Sequence, residues 1–210
     1  MAPMRIIETQ ADVNEGAAAL AGICPRLAEA LSIIGEAPLR RRADGFAALL
    51  QAIVSQQVSV AAARGIWGRV EAAGLHVEDA VRGADEEALR AVGLSRPKAR
   101  YAKAIAEARL DYAELRELPE EEAVALLTAI KGVGVWTAEI YLMFAVGRAD
   151  IFAPGDLALR ESARVLYGMK ERPSEAALRE QAEAWRPWRS VAARILFAYY
   201  HHVKGREGAT

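Results

Sequence analysis

A turn containing two glycines near the middle of the chain has the residue types of a phosphate-binding site. The segment Ile130-Lys131-Gly132-Val133-Gly134 follows one apolar run and leads directly into another. Glycine permits backbone angles that are closed to other residues and lets a ligand approach the main chain. Unpaired N–H groups at the start of the following helix would then face an anion. The segment predicts either a hairpin that binds phosphate without side-chain charge or a simple turn between two packed helices.

A carboxylate follows this turn after a loop rich in glycine and proline. Asp156 comes directly after Pro154 and Gly155, 22 residues beyond Gly134, and an apolar-periodic stretch begins after it. A fixed carboxylate stabilises positive charge that develops beside it in a transition state. Aspartate is also a favoured residue at the start of a helix. We therefore expect Asp156 to stabilise charge, to cap a helix, or to do both.

The composition excludes several other kinds of site. The 210 residues include 27 Lys and Arg and 28 Asp and Glu, which give a formal net charge of -1. The overall charge therefore does not indicate a nucleic acid, a membrane surface or an acidic ligand as the partner. A single cysteine, Cys24, cannot form an internal disulfide or a multi-cysteine metal centre. The three histidines lack metal-ligand spacing, so no metal is predicted. No apolar run is long enough to span a membrane and the N-terminus lacks a signal-peptide pattern, so a cytoplasmic protein is expected.

The apolar residues recur at helical spacing, which predicts the elements that must position these groups. Phe46, Leu49, Leu50, Ile53 and Val54 form the stripe of a core-facing helix. Ser95 and Ser174 have the character of helix N-caps elsewhere in the chain, and no segment shows sustained period-two alternation. We expect an all-α fold of eight to twelve short helices.

Four further stretches, together with the hairpin and Asp156, resemble the helix-hairpin-helix DNA glycosylase superfamily. Within it they are most similar to the branch that acts on alkylated bases, the 3-methyladenine DNA glycosylase II type without an N-terminal β-domain. The resemblance runs from about Phe46 to His202, and the stretches occur in the expected order. They are Ile53-Val54-Ser55-Gln56-Gln57-Val58-Ser59, Gly93-Leu94-Ser95-Arg96-Pro97-Lys98-Ala99, Val135-Trp136-Thr137-Ala138-Glu139 and Trp185-Arg186-Pro187-Trp188-Arg189-Ser190.

The resemblance implies that Asp156 is the catalytic carboxylate. Breaking an N-glycosidic bond builds positive charge on the sugar, and a carboxylate beside C1′ stabilises that state. Lyase members of the superfamily carry a nucleophilic lysine where this chain has Trp136. Because tryptophan cannot form a Schiff base, we expect a monofunctional enzyme that leaves an abasic site. Lys131, in the hairpin, is interpreted as a neighbour of phosphate.

The resemblance also implies an aromatic pocket for the damaged base. Trp136 would form its main wall, because a positively charged methylated base is attracted to an electron-rich ring. Phe197 and Ile140 fall where the bacterial inducible enzyme has tryptophan and tyrosine, so a less electron-rich pocket is expected. Packing in the core is the alternative for Trp136 and Phe197.

Base flipping requires a side chain that fills the space left in the duplex, here called the wedge. Gln57 occupies the position where relatives insert it, and Gln56 is its neighbour. The alternative is that these polar residues of an apolar helix make buried hydrogen bonds. Arg96 and Lys98 belong to a local basic run that could contact phosphate or could form a solvated helix face.

Together these observations predict two helical lobes with an active cleft between them. Residues 45–148 would form the lobe that ends in the hairpin, and residues 1–44 and 149–210 the lobe that carries Asp156. The expected reaction is hydrolytic excision of alkylated purines from duplex DNA in base excision repair. The alternatives are a noncatalytic helix-hairpin-helix DNA-binding protein and a glycosylase for other damaged or mismatched bases. We expect a monomer that needs no cofactor, is not bound to a membrane, and is nucleoid-associated if bacterial; the resemblance also allows a structural monovalent cation at the hairpin.

Overall fold

A computed structural model describes residues 5–207, and its regular elements are helices. The all-α prediction is confirmed. Thirteen α-helices occur in the described residues, more than expected, because three of them have six residues or fewer. Extended pairing in this range is limited to one isolated bridge between Ile6 and Arg148.

The chain contacts divide the protein into two compact units. One, the continuous unit, runs from Arg42 to Tyr141; the other, the split unit, contains the chain up to Arg41 and from Leu142 onward. The boundaries expected from the sequence lie after residues 44 and 148. The second differs because the apolar residues Leu142 to Val146 form a buried π-helical turn that belongs to the split unit.

The split unit is organised around its longest helix, α13. That helix packs against α1, α2 and α11, and its central residues from Val191 to Phe197 are buried. Ser162 on α11 donates a hydrogen bond of 2.8 Å to the main-chain oxygen of Leu196 on α13. The helices of this unit are α1 (Gln10–Ile23), α2 (Pro25–Ile34), α11 (Leu157–Leu166), α12 (Glu175–Ala182) and α13 (Arg189–Glu207), with a 3-10 turn at Glu183–Trp185.

A buried arginine joins three segments of the split unit. Arg194 is fully buried on α13, and its guanidinium donates to the main-chain oxygens of Leu39, Ser190 and Met143 at 2.9, 3.0 and 3.1 Å. Burial lowers the pKa of Arg194 to about 9, which still leaves it charged at neutral pH. Because Leu39 precedes the continuous unit and Met143 follows it, Arg194 holds together the two parts of the split unit that the continuous unit separates in the sequence.

Close packing of α1 on α13 leads to a stability prediction. A methyl group at Gly16 would lie 2.6 Å from Trp188 Cε3 and 2.7 Å from Val191 Cγ2, so Gly16→Ala should lower the free energy of unfolding by about 1–3 kcal/mol. Gly22, on the same helix, has open space around it, and Gly22→Ala should leave stability unchanged or raise it by up to about 1 kcal/mol. Urea unfolding of both variants measures the difference. Equal stabilities would contradict this packing.

The continuous unit is built on α3, whose predicted apolar stripe is buried. Phe46, Leu49, Leu50, Ile53 and Val54 are each at most 6% exposed, and α3 packs against α4, α7 and α10. The helices of this unit are α3 (Phe46–Ser55), α4 (Val60–Ala72), α5 (Glu78–Gly83), α6 (Glu86–Ala91), α7 (Arg96–Ala108), α8 (Glu114–Glu117), α9 (Glu120–Thr128) and α10 (Val135–Tyr141).

Asp44 links the beginning and the end of the continuous unit. Its carboxylate accepts hydrogen bonds from the Tyr141 hydroxyl at the end of α10 and from Arg116 Nε, the latter at 3.0 Å. Burial and the neighbouring carboxylate raise the pKa of Tyr141, so its hydroxyl remains a donor at neutral pH. The contact holds α10 against the start of α3.

Candidate functional site

The two-glycine turn forms a tight connection between α9 and α10. Val133 N donates to Ile130 O at 3.0 Å, and the side chains of both residues are buried. Lys131 and Gly134 face solvent on the outside of the turn. The main-chain N–H groups that begin α10 therefore come directly after an exposed glycine, as phosphate binding requires. The structure confirms a helix, a hairpin turn and a second helix in this order.

Gly132 is required by the way the hairpin packs. Its φ is +95°, a region that favours glycine, and a methyl group there would lie 2.5 Å from Tyr101 Cδ1 and still closer to Tyr101 Cγ. The hairpin backbone thus lies directly against the ring of Tyr101 on α7. Gly134 has neither constraint, because a methyl group added there would have nothing within 4 Å of it.

The two glutamines at the wedge position have different surroundings. α3 ends at Ser55, so Gln56 and Gln57 follow the helix and do not interrupt its apolar face. Gln56 is partly buried, and its side-chain amide donates to Thr137 Oγ1 at 3.0 Å and to Gly132 O at 3.3 Å. Gln57 is exposed, with a positive φ of +54°. Gln56 therefore makes the internal hydrogen bonds that were the alternative to a role in DNA binding. Gln57 remains the predicted wedge.

A groove of about 800 Å³ connects these elements within the continuous unit. The lining includes residues from the loop between α3 and α4 (residues 56–59, here called the Gln57 loop), from the first turn of α7 and from the hairpin. Thr137 and Tyr101 belong to it and are not singled out by the sequence. Thr137 could have been suspected, since it is a polar residue in the apolar run of α10 and is 2% exposed. The close approach of Tyr101 to Gly132 could not be predicted, because no local sequence pattern indicates it.

The basic run on α7 is engaged within the protein. Arg96 Nε lies 3.0 Å from Glu86 Oε1, an exposed ion pair that contributes little to stability. Lys98 Nζ donates to the main-chain oxygens of Val54 and Gln56, both at 2.7 Å. Burial lowers the pKa of Lys98. The Lys98 ammonium is therefore directed at the end of α3, and a contact between Lys98 and phosphate stays a prediction.

Trp136 lies in the first turn of α10, immediately after the hairpin. It is 37% exposed and its neighbour Val135 is 47% exposed, so this turn presents apolar surface to solvent. Ile140 follows four residues later, on the same face of the helix, and is partly buried. The structure therefore brings two of the three predicted pocket residues together on α10.

Phe197, the third predicted pocket residue, lies on α13 in the split unit. Its ring is 9% exposed and packs against Phe144 with a centroid distance of 6.0 Å. The guanidinium of Arg40 lies over the same ring, 5.7 Å from its centroid. Much of the ring surface is therefore already covered by the split unit itself.

Asp156 is the N-cap of α11. Its Oδ1 accepts hydrogen bonds from Ala158 N at 2.8 Å and Leu159 N at 3.2 Å, so the capping role expected from the sequence is confirmed. Two main-chain donors on one oxygen restrict the rotation of the carboxylate. A carboxylate that stabilises charge must be held in a fixed orientation, and the capping hydrogen bonds hold Asp156 in this way.

The loop that leads to Asp156 is held in place by the stretch from Trp185 to Ser190. Arg189 is 3% exposed and donates to Asp150 Oδ1 at 2.6 Å and to Asp150 O at 2.9 Å. Ser190 N donates to Ala149 O at 2.9 Å, and Phe152 packs edge-on against Trp185. Loop 149–156 thus approaches α11 along a path fixed by buried contacts.

The described residues offer little for other kinds of site. Among residues 5–207, no group of three or more His, Cys, Asp and Glu side chains could hold a metal ion. Within the same range, no helix has the length and apolar character needed to cross a membrane.

Comparison with known proteins places these features in a family. Residues 50–187 match the HhH-GPD superfamily of base excision DNA repair proteins. The chain is 32% identical to DNA-3-methyladenine glycosylase 1 of Schizosaccharomyces pombe over 158 residues, which cover 71% of this chain and 69% of that protein. It spans smaller shares, 55% and 41%, of two further curated relatives.

Two solved structures share the fold along almost their whole length. The S. pombe 3-methyladenine DNA glycosylase in complex with abasic DNA superposes with a TM-score of 0.79 at 28% identity, covering 87% of this chain and 95% of that one. A DNA-3-methyladenine glycosidase from Bacillus halodurans superposes with a TM-score of 0.78 at 34% identity, covering 97% and 95%.

Proposed function

The chain belongs to the HhH-GPD superfamily of base excision DNA repair proteins, and from that premise we propose that it is a monofunctional DNA glycosylase. It flips alkylated purines of the 3-methyladenine type out of duplex DNA and excises them by hydrolysis. The observation that carries the proposal is the Asp156 carboxylate, fixed by two main-chain N–H groups at the end of an anchored loop. The names of the relatives support the class of substrate.

The reaction follows from the charge that the bond cleavage creates. As the bond between C1′ and the base nitrogen breaks, the base leaves with the electron pair and the sugar becomes positively charged. The Asp156 carboxylate stabilises that charge, and water then adds to C1′ and loses a proton. A fixed group needs no reorganisation at this moment, so the cap of α11 contributes directly to the rate.

The continuous unit supplies the contacts to DNA in this proposal. The N–H groups at the start of α10 bind a backbone phosphate, with Lys131 beside them. Trp136 stacks on the flipped base, because a methylated purine with positive charge is attracted to its exposed ring. Gln57 is the wedge, since it is the exposed member of the glutamine pair.

Trp136 in place of a lysine nucleophile predicts an enzyme without lyase activity. Excision should leave an intact strand that breaks only after treatment with hot alkali, and borohydride should trap no covalent complex with DNA. Denaturing gels of product with and without alkali measure this. A trapped complex that disappears in Lys131→Gln would instead identify the hairpin lysine as a nucleophile.

Release of free base from methylated duplex DNA tests the proposed function. Duplex DNAs that contain methylated purines, hypoxanthine or ethenoadenine are incubated separately with the protein. The released bases are then resolved by chromatography. Release of 3-methyladenine supports the proposal. Tight duplex binding without release of any base would favour the alternative, a noncatalytic DNA-binding protein. Release only of hypoxanthine or ethenoadenine would favour a glycosylase of different specificity.

The proposal requires few additional components. A monovalent cation at the hairpin would be bound by neutral main-chain oxygens, since residues 129–134 contain no carboxylate; it would stabilise the turn and supply no chemistry. We propose that the protein acts as a monomer in the compartment that holds the genome, which is the cytoplasm if the cell is bacterial.

A further inference from the structure

Lys98 forms a cap on the C-terminus of α3. Its Nζ lies 2.7 Å from both Val54 O and Gln56 O, which belong to the last turn of that helix and to its capping residue. Carbonyl groups at this end of a helix have no partner within the helix, and a cation there also complements the helix dipole. The ammonium therefore satisfies two oxygens that would otherwise need water.

One of these oxygens belongs to the peptide group that leads into Gln57. The orientation of that peptide fixes ψ of Gln56 and φ of Gln57 together. Gln57 has a φ of +54°, a left-handed backbone conformation that is unfavourable for residues other than glycine. A strained backbone persists only where surrounding contacts hold it.

Side chains from α7 and the hairpin region both contribute contacts that hold this backbone. Lys98 binds the main-chain oxygen of Gln56, and the side-chain amide of Gln56 binds Thr137 and Gly132 of the hairpin region. Both partners line the same groove as Gln57. Losing the Lys98 contacts would free the Gln56 peptide to rotate, and Gln57 would then relax to an ordinary conformation that points elsewhere.

We propose that Lys98 is a positioning residue that holds the Gln57 loop in the conformation that inserts into DNA. The inference rests on the proposed function, in which Gln57 fills the space left by the flipped base. Lys98 acts through the Gln56 peptide and does not touch the reacting atoms. Its removal should therefore impair flipping of a paired base more than it impairs binding or bond cleavage.

The chain provides a matched control on the same helix. Lys103 on α7 makes the same kind of clamp, with Nζ donating to Arg82 O at 2.7 Å and Ala84 O at 2.9 Å. These hydrogen bonds cap the C-terminus of α5, and α5 carries none of the proposed site residues. Lys98→Met and Lys103→Met thus each remove one lysine and two hydrogen bonds to carbonyl oxygens, and only the first acts at the Gln57 loop.

Single-turnover excision of one lesion in two duplexes separates positioning from general stability. With the lesion opposite its normal partner, Lys98→Met should be about 10- to 100-fold slower than the unsubstituted protein, and Lys103→Met about equal to it. With the lesion opposite an abasic site, no base pair has to be broken, and the deficit of Lys98→Met should shrink to within a few-fold. Duplex affinity should change only a few-fold in both variants.

Insertion of Gln57 can also be measured without any excision. The fluorescence of 2-aminopurine beside an abasic-site analogue reports unstacking, and it should rise with the unsubstituted protein and Lys103→Met but not with Lys98→Met. Equal rates and equal fluorescence for the two variants would overturn the role of Lys98, as would a deficit that is the same in both duplexes. If the unsubstituted protein excises nothing, the proposed function fails, while the fluorescence still decides the inference. If the unsubstituted protein gives no fluorescence rise, the inference is overturned, whatever the excision assay shows.

Discussion

Asp156→Asn is expected to lower the single-turnover rate of base excision by at least about 100-fold, because the amide cannot neutralise the positive charge that develops on the sugar. The fold should survive the change. Asparagine is as good an N-cap as aspartate, so its side-chain oxygen can still accept from Ala158 N and Leu159 N. Free-base release under enzyme excess measures the rate, and binding to an abasic-site duplex should be retained.

A second aspartate provides the control for this variant. Asp85 is also an N-cap, of α6, and its carboxylate accepts from Ala88 N at 2.8 Å, so Asp85→Asn should leave excision unchanged. Asp156→Ala should lose the cap as well as the charge, with about 1 kcal/mol less stability. If Asp156→Asn excises bases at the unsubstituted rate, Asp156 is a structural cap only and the proposed catalytic role is wrong.

Gly132→Ala is expected to destabilise the hairpin and abolish tight binding to duplex DNA. The positive φ at this position costs alanine about 1–2 kcal/mol, and the overlap of its methyl group with Tyr101 costs about 1–3 kcal/mol more. The turn must therefore move, and the N–H groups at the start of α10 move with it. Urea unfolding and fluorescence-anisotropy titration of a labelled duplex measure the two effects.

Gly134→Ala separates phosphate binding from folding. Position 134 has open space and no positive φ, and alanine is only a poorer N-cap for α10 than glycine, so this variant should lose at most about 1 kcal/mol of stability, less than Gly132→Ala. Its methyl group would still stand at the exposed side of the turn, where a phosphate must approach the main chain, and duplex affinity should fall about tenfold. Unchanged affinity in Gly134→Ala would show that the hairpin does not bind the DNA backbone in the proposed way.

Features set by residues close together in the chain can be predicted from the sequence. The stripe from Phe46 to Val54 predicts a buried helix, and Ser95 and Ser174 are recognisable as N-caps. The hairpin and the cap at Asp156 belong to the same class. Each depends on periodicity or on a hydrogen bond that spans two or three residues, and such interactions leave a pattern in the sequence.

Interactions between distant residues are decided only by the tertiary structure. The sequence predicts either a phosphate contact or a solvated helix face for Lys98, but packing of α7 on α3 directs its ammonium to carbonyl oxygens 42 and 44 residues away. Gln56 is grouped with Gln57 as a DNA contact by its position in the chain, yet its partner Thr137 is 81 residues away. The end of a helix needs partners for its carbonyl groups, and which side chain supplies them depends on the helices packed around it, which no local pattern encodes.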